Sequence, residues 1–302
     1  MVTETAYARC LHIAQSHYEN FPVASRLLPR SARRHVAAIY AFARIADDFA
    51  DEGARKPEAR LALLDDWHAR LHQVVRGTEP DDDADASAIF IALNDTIRRF
   101  DLDVQLFDDL LSAFRQDVTV TRYETWDDVA DYCRRSANPI GRLVLRISGY
   151  RDASIDQLSD AVCTALQLTN FWQDLELDLR KDRLYVPMVE VRAAGASIDD
   201  LRRRRFTLQW QAALAAAATR TREFFAAGRP IADRVRGRPA WELRATWLGG
   251  TRILDRLAAN RFDVFKSRPT LGWTDGLVIG ARMLTWRRTA LAGDRARSSA
   301  TP

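Results

Sequence analysis

Glycine and proline are scarce in this chain, 13 and 10 in 302 residues, and runs of alternating β-branched residues are almost absent. Their scarcity removes the turn-rich sandwiches and barrels and the strand–helix alternation of parallel sheets, which leaves an all-α fold. Only three cysteines occur, Cys10, Cys133 and Cys163, far apart and without a CxxC pair, which excludes a disulfide framework or a zinc knuckle and predicts buried free thiols. No apolar run approaches the roughly 20 residues needed to span a bilayer. GxGxxG after a strand, GxxxxGK[ST] and Gly-x-Ser-x-Gly are all missing, so Rossmann cofactors, nucleotide hydrolysis and serine hydrolysis are disfavoured.

What is present is apolar bulk, 47% hydrophobic residues, with a net charge of +4 and a pI near 9.1. Composition of this kind buries a substantial core and excludes disorder. The positive excess is arginine, gathered at Arg202 to Arg205 and in the C-terminal third. The RRRR run reads as a solvated helix face, and no zinc finger or basic–aromatic interleaving points to nucleic acid. Breaks fall near Pro22 and Pro29, at 52–58, 76–87 and 138–139, and at Gly149. They continue near Pro187, at Gly195 and at 228–230, 236–239 and 267–269. None is long enough to be a linker. The spacing predicts one helical domain over residues 1–290 and a disordered tail, 291–302.

Two clusters share the pattern Asp-Asp-x-x-Asp. In DDDAD, 81–85, every neighbour is polar or small and the flanks carry Gly77 and Pro80, so water solvates the carboxylates. DDFAD, 47–51, instead closes AAIYAFARIADDFAD, where Ile39, Phe42, Ile45 and Phe49 spread apolar groups around much of a helix. Tyr40, Arg44, Asp47, Asp48 and Asp51 recur every three or four residues and form one stripe. Carboxylates at i and i+4 repel, and removing them from water costs several kcal/mol unless a counter-charge is supplied, so this stripe must face a polar cavity or a cation. A second stripe, Gln167, Asn170, Asp174 and Asp178, lies on a helix predicted in AVCTALQLTNFWQDLELDLRKDRLYVP, 161–187. Either stripe alone is compatible with an ordinary amphipathic face. Two such helices, confronted across a cavity, supply oxygen ligands suited to Mg²⁺ and point to departure of a diphosphate. Phe171 and Trp172 adjoin the second stripe, where ring faces stabilise carbocations.

The chain resembles the squalene/phytoene synthase family, within it most closely the bacterial hydroxysqualene synthases of the hopanoid pathway. The likeness runs from about residue 7 to about residue 285 through SHYENFPVAS (16–25), AAIYAFARIADDFADEG (37–53), RYETWDDVADYCRRSANPIGRL (122–143) and LQLTNFWQDLELDLRKDRLYVP (166–187). It implies the all-helical isoprenoid synthase fold around a central hydrophobic cavity. By position it implies that Asp47, Asp48, Asp51, Asn170, Asp174 and Asp178 bind Mg²⁺, and that Tyr40, Arg44 and His17 contact diphosphate. Tyr132, Gln167 and Tyr185 would line the cavity, and Arg183 lies in a block that usually reads RGRxYxP. Tyr40, Arg44, Tyr132 and Tyr185 are the implied catalytic set, and Asp117 matches a recurrent aspartate whose role spacing does not assign. The chain has Gln173 where most members carry arginine, and Ala137-Asn138-Pro139-Ile140-Gly141 where they read AGxVG. Both departures follow the subgroup that acts on one preformed intermediate.

The expected activity is Mg²⁺-dependent conversion of presqualene diphosphate to hydroxysqualene. A head-to-head condensing synthase, and a non-catalytic lipid-binding or scaffold protein, are the competing readings. The expected setting is cytoplasmic, peripheral on the inner face of an anionic membrane, with other squalene-pathway enzymes as candidate partners and no nucleic acid. His68 and His72, at i and i+4 beside Asp65 and Asp66, read as a solvated surface pair, and His12 and His35 as structural histidines.

Overall fold

The computed structural model describes residues 2–16, 30–78 and 84–287. His17, Asp81 to Asp83 and the expected tail therefore lie outside the described residues. Every regular element among those described is an α-helix, and the chain divides into two compact units, Met1–Arg151 and Asp152–Pro302. The division falls just after the break read at Gly149, which adopts φ +85°.

The first unit holds α1 (Val2–Ser16), α2 (Arg30–Asp51), α3 (Pro57–Val75), α4 (Ala84–Phe100), α5 (Gln105–Thr119), α6 (Trp126–Ser136) and α7 (Asn138–Ile147). Local chemistry sets several boundaries. Pro57 opens α3, where its missing N–H costs nothing. Thr125 and Asp128 form a capping box on α6, and Pro139 sits in the first turn of α7. α2 is the hub, packed by α1, α3, α4, α5 and α7. Its Phe42 is wholly buried against Trp67, stacked at 5.8 Å, and edge-on to Phe90 and Phe107. Phe42→Ala would cost roughly 3–5 kcal/mol. Behind it, Tyr7 donates to Asp95 Oδ2 at 2.6 Å and lies 2.9 Å from both His35 Nδ1 and Thr96 Oγ1. His35 is thus the structural histidine expected.

The second unit comprises α8 (Ala153–Gln173), α9 (Leu175–Arg180), α10 (Met188–Ala193), α11 (Ile198–Arg202), α12 (Leu208–Gly228), α13 (Ile231–Arg234), α14 (Arg238–Ala259) and α15 (Trp273–Leu284). α8 is started by Asp152, which accepts from the Ser154 amide. It packs on α12 and α14 at backbone distance. A Cβ on Gly228 would lie 2.8 Å from the Val162 nitrogen and 2.9 Å from the Leu158 carbonyl oxygen, atoms that cannot step aside. Cys10 and Cys133 are buried free thiols, whereas Cys163 is only partly covered.

Candidate active site

In the first unit the polar stripe of α2 is as spaced: Tyr40, Arg44, Asp47, Asp48 and Asp51 are half-buried while Ala41, Phe42, Ala46 and Ala50 face the core. Arg44 pairs with Asp48 at 2.6 Å and stands 3.7 Å from Asp47. One guanidinium therefore serves neighbouring carboxylates, and the consequence appears at Asp47. Its pKa is pushed up to about 7, first by loss of water around it, then by Asp51 and Asp117, with Arg44 opposing. The side chain keeps 40% of its surface accessible, so a cation can reach it. The C-terminus of α2, which has no basic residue in its last turn, is closed from α3: Arg60 donates to the carbonyls of Ala50 and Gly53.

Asp117, which the family likeness marks but spacing gives no role, acquires its partners from the fold. On α5 it is 6% exposed, accepts a 2.6 Å hydrogen bond from the hydroxyl of Tyr132 on α6, and acts electrostatically on Asp47. The available signal was an aspartate at helical spacing from Leu110, Ala113 and Phe114, on an apolar face that tolerates it only with a partner. Tyr132 is buried at 4% exposure, with its ring edge-on to Tyr123. Within this unit its hydroxyl is spent on the Asp117 carboxylate.

The second acidic stripe corrects one expectation. The predicted unbroken helix ends at Gln173, Asp174 takes φ −101° and ψ 11°, and α9 begins at Leu175. The backbone ladder nonetheless carries through, with Asp174 N–H donating to the Asn170 carbonyl at 2.8 Å and Asp178 N–H to the Asp174 carbonyl at 2.9 Å. The stripe is bent, not lost. Asn170 donates to Asp174 Oδ2 at 2.7 Å, and Arg268 reaches Asp174 Oδ1 at 2.5 Å. Gln173, in the position where the family usually has arginine, donates to the Pro269 carbonyl at 2.6 Å. A cation is thus supplied to Asp174 from 94 positions along the chain, by a segment that Gln173 itself holds.

After α9 the chain turns through Asp182 at φ +54°, with Arg183 N–H donating to the Asp178 carbonyl and Asp182 N–H to that of Leu179. This Schellman turn occupies the glycine position of RGRxYxP, and aspartate is among the few residues that accept it. It delivers Arg183 and Tyr185, both buried, and Tyr185 lies flat on Phe171 with centroids 3.7 Å apart. Gln167 and Asn170 are half-buried. Trp172 is fully enclosed, and its Nε1 donates to Thr221 on α12 at 2.8 Å. The arginine run is exposed, but only Arg202 lies on a helix, and Arg203 to Arg205 follow the end of α11, so it is not the helix face expected; Arg202 pairs with Asp199, Arg204 with Glu176 at 2.6 Å, and Arg205 with Asp200.

The α2 face fits a divalent hard cation. Its donors are carboxylate oxygens, suited to Mg²⁺ and ill suited to softer metals. The pKa of Asp47, raised first by loss of water and then by the neighbouring carboxylates, marks an ionised form that a bound cation would stabilise.

A family model described as squalene/phytoene synthase matches residues 14–275. A hydroxysqualene synthase of Zymomonas mobilis is 40% identical over 207 residues, 68% of this chain and 66% of that protein. One from Sinorhizobium fredii is 36% identical over 224 residues, 74% and 73% of the two chains. The crystal structure of squalene synthase HpnC from Alicyclobacillus acidocaldarius superposes with a TM-score of 0.79 at 38% identity, covering 86% of this chain and 95% of that one. A ligand-bound dehydrosqualene synthase, at 21% identity and a TM-score of 0.82, shares the fold. An all-helical chain with two aspartate stripes, matched over nearly its whole length, belongs to the squalene/phytoene synthase family.

Proposed function

We propose that the chain is a carbon–oxygen lyase that converts presqualene diphosphate to hydroxysqualene and diphosphate. The observation that carries the reading is the crowding of carboxylates around Asp47, an arrangement costly in a scaffold and useful in a site for a cation and a diphosphate. Likeness to hydroxysqualene synthases at 36 to 40% identity supports the choice among family reactions. Asp47, Asp48 and Asp51, with Asn170, Asp174 and Asp178, would hold Mg²⁺, which when bound neutralises charge on the leaving oxygens. Arg44 and Tyr40, with His17 and Arg183, would bind and orient the diphosphate. Gln167, Tyr185 and Phe171 would border the isoprenoid. The bond from carbon to diphosphate oxygen breaks with its electron pair leaving on diphosphate; the cation rearranges, water adds and a proton is released. No reductant enters. Incubation with presqualene diphosphate and, separately, farnesyl diphosphate, in ¹⁸O-water with and without Mg²⁺ and NADPH, tests this. The expected product is a labelled alcohol requiring Mg²⁺ and indifferent to NADPH. An unlabelled hydrocarbon formed only with NADPH, or condensation of farnesyl diphosphate alone, overturns the assignment in favour of a condensing synthase.

The substrate partitions into membranes, and α15 offers a docking surface for an anionic bilayer. Trp273, Leu277 and Leu284 are 80%, 67% and 78% exposed, and Arg282 and Arg287 are exposed alongside them. Apolar anchors beside cations suit headgroup and acyl boundary together. No helix among the described residues is long and apolar enough to cross a membrane. Flotation with anionic vesicles at low salt should recover the protein, and Trp273→Ala with Leu277→Ser should abolish it. Equal recovery with neutral vesicles, or by the double variant, refutes peripheral docking through α15.

A further inference from the structure

The pair His68 and His72, which by sequence is a solvated face, acquires a third ligand in the folded chain. Four residues apart on α3, the two imidazoles share one side of the helix, with ring centroids 4.6 Å apart. Asp108, in the first turn of α5, brings Oδ1 to 2.9 Å from His72 Nε2 and 3.1 Å from His68 Nε2. The three ligand atoms, offered from two helices, all lie within 4.8 Å of one another. Donors bound to a common zinc ion at about 2.0–2.1 Å must stand about 2.9–3.4 Å apart, depending on the angle between them. Both observed N···O separations fall in that range.

We propose that His68, His72 and Asp108 form a binding site for a transition-metal dication of the zinc class, separate from the carboxylate face of α2. Two imidazole nitrogens with one carboxylate oxygen prefer Zn²⁺, Ni²⁺ and Cu²⁺ over Mg²⁺, so the two sites sort their metals by ligand chemistry. The neighbouring acids do not enlarge the donor set: Asp65 is engaged by Arg115 at 2.8 Å and Asp66 by Arg70 at 2.8 Å. The three ligand side chains retain between 24% and 38% exposure, which admits water to complete the coordination shell. A bound ion would clamp α3 to α5. Those helices bear on the acidic face from behind, because α3 supplies the Arg60 cap of α2 and α5 carries Asp117. The site is therefore a structural clamp by which a transition metal stiffens the support of the α2 carboxylates.

The test uses the full chain, stripped with chelator and dialysed into millimolar Mg²⁺ to occupy oxygen sites. Zn²⁺ is titrated by calorimetry, with imidazole ring ¹⁵N shifts and thermal unfolding as independent readouts. Expected are one Zn²⁺ per chain, ring shifts confined to His68 and His72, and a rise in Tm. His72→Gln and, separately, Asp108→Asn should each weaken binding by more than the roughly ten- to hundredfold that loss of a partner behind a ligand costs, while Asp47→Asn binds Zn²⁺ as the parent does. Absence of Zn²⁺ binding by the parent overturns the proposal. So does unchanged binding by His72→Gln, or by His68→Gln should the first variant not fold, since the contacts would then be plain hydrogen bonds from two imidazoles to Asp108.

Discussion

The two acidic motifs have similar sequences and opposite electrostatics. On α2, Asp47 has lost water, is crowded by Asp51 and Asp117 and shares Arg44 with Asp48, and its pKa rises to about 7. At the bend between α8 and α9, Asp174 has a guanidinium and an amide of its own, Arg268 and Asn170. The first motif is short of positive charge until a cation arrives. The second is already compensated, so a metal there must displace Arg268 from the carboxylate. Equal aspartate patterns thus store different free energies, and the difference lies in which residues the fold brings to each.

Neutralising either motif should have the largest effect. Asp47→Asn and Asp174→Asn are each expected to lower turnover on the order of 100-fold or more, by removing charge from the diphosphate-binding machinery. Circular dichroism should show both variants folded, and near-parental activity in either would remove that residue from the site. Metal-free stability should then split them. Asp174→Asn leaves Arg268 without its carboxylate and should cost about 1 kcal/mol for a partly exposed pair. Asp47→Asn removes a repelled charge and should raise the Tm at pH 8. A loss of stability in both would erase the contrast.

The pH dependence follows from sign. Asp47 has a folded pKa near 7, above its unfolded value, so the folded chain holds a proton that the unfolded chain releases. Its contribution is present below the unfolded carboxylate pKa and fades as pH rises through about 7. Metal-free protein should thus lose stability over that window; Asp47→Asn should abolish the loss and Mg²⁺ should offset it. His35 acts oppositely. Burial lowers its pKa to about 4, so stability linked to it is present above the unfolded value near 6.5 and is lost as pH falls toward 4. Urea titrations of parent, Asp47→Asn and His35→Gln between pH 5 and 9 separate the two.

Smaller still is the effect expected at Asp275, the buried carboxylate that ties α15 to Arg252, Arg256 and the Gly272 amide. Its pKa is held down to about 2, first by Arg252 and then by the Gly272 amide. Asp275→Asn should loosen α15 and the adjoining segment that carries Arg268, read as faster limited proteolysis between 260 and 287 with a modest drop in activity. Unchanged cleavage there would detach this clamp from the second motif. Asp81→Asn should change neither activity nor Tm. A large loss of activity there would show that the other Asp-Asp-x-x-Asp cluster carries the function.

Much was legible before folding, because helix periodicity and capping act over a few residues. Ile39, Phe42 and Ala46 against Tyr40, Arg44 and Asp47 divide α2 into faces at 3.6 residues per turn, and the aspartates between them carry the family likeness. Pro57, Thr125 and Asp152 mark helix starts by local hydrogen-bond chemistry. What tertiary structure alone decided involves partners distant in sequence. Arg268 reaches Asp174 beside Gln173, Asp117 joins Asp47, Asp108 meets His68 and His72, and Trp172 turns to Thr221. Periodicity states which side of a helix is polar. Which charges meet across that side depends on how helices pack, and a pKa or a metal preference is a property of the meeting.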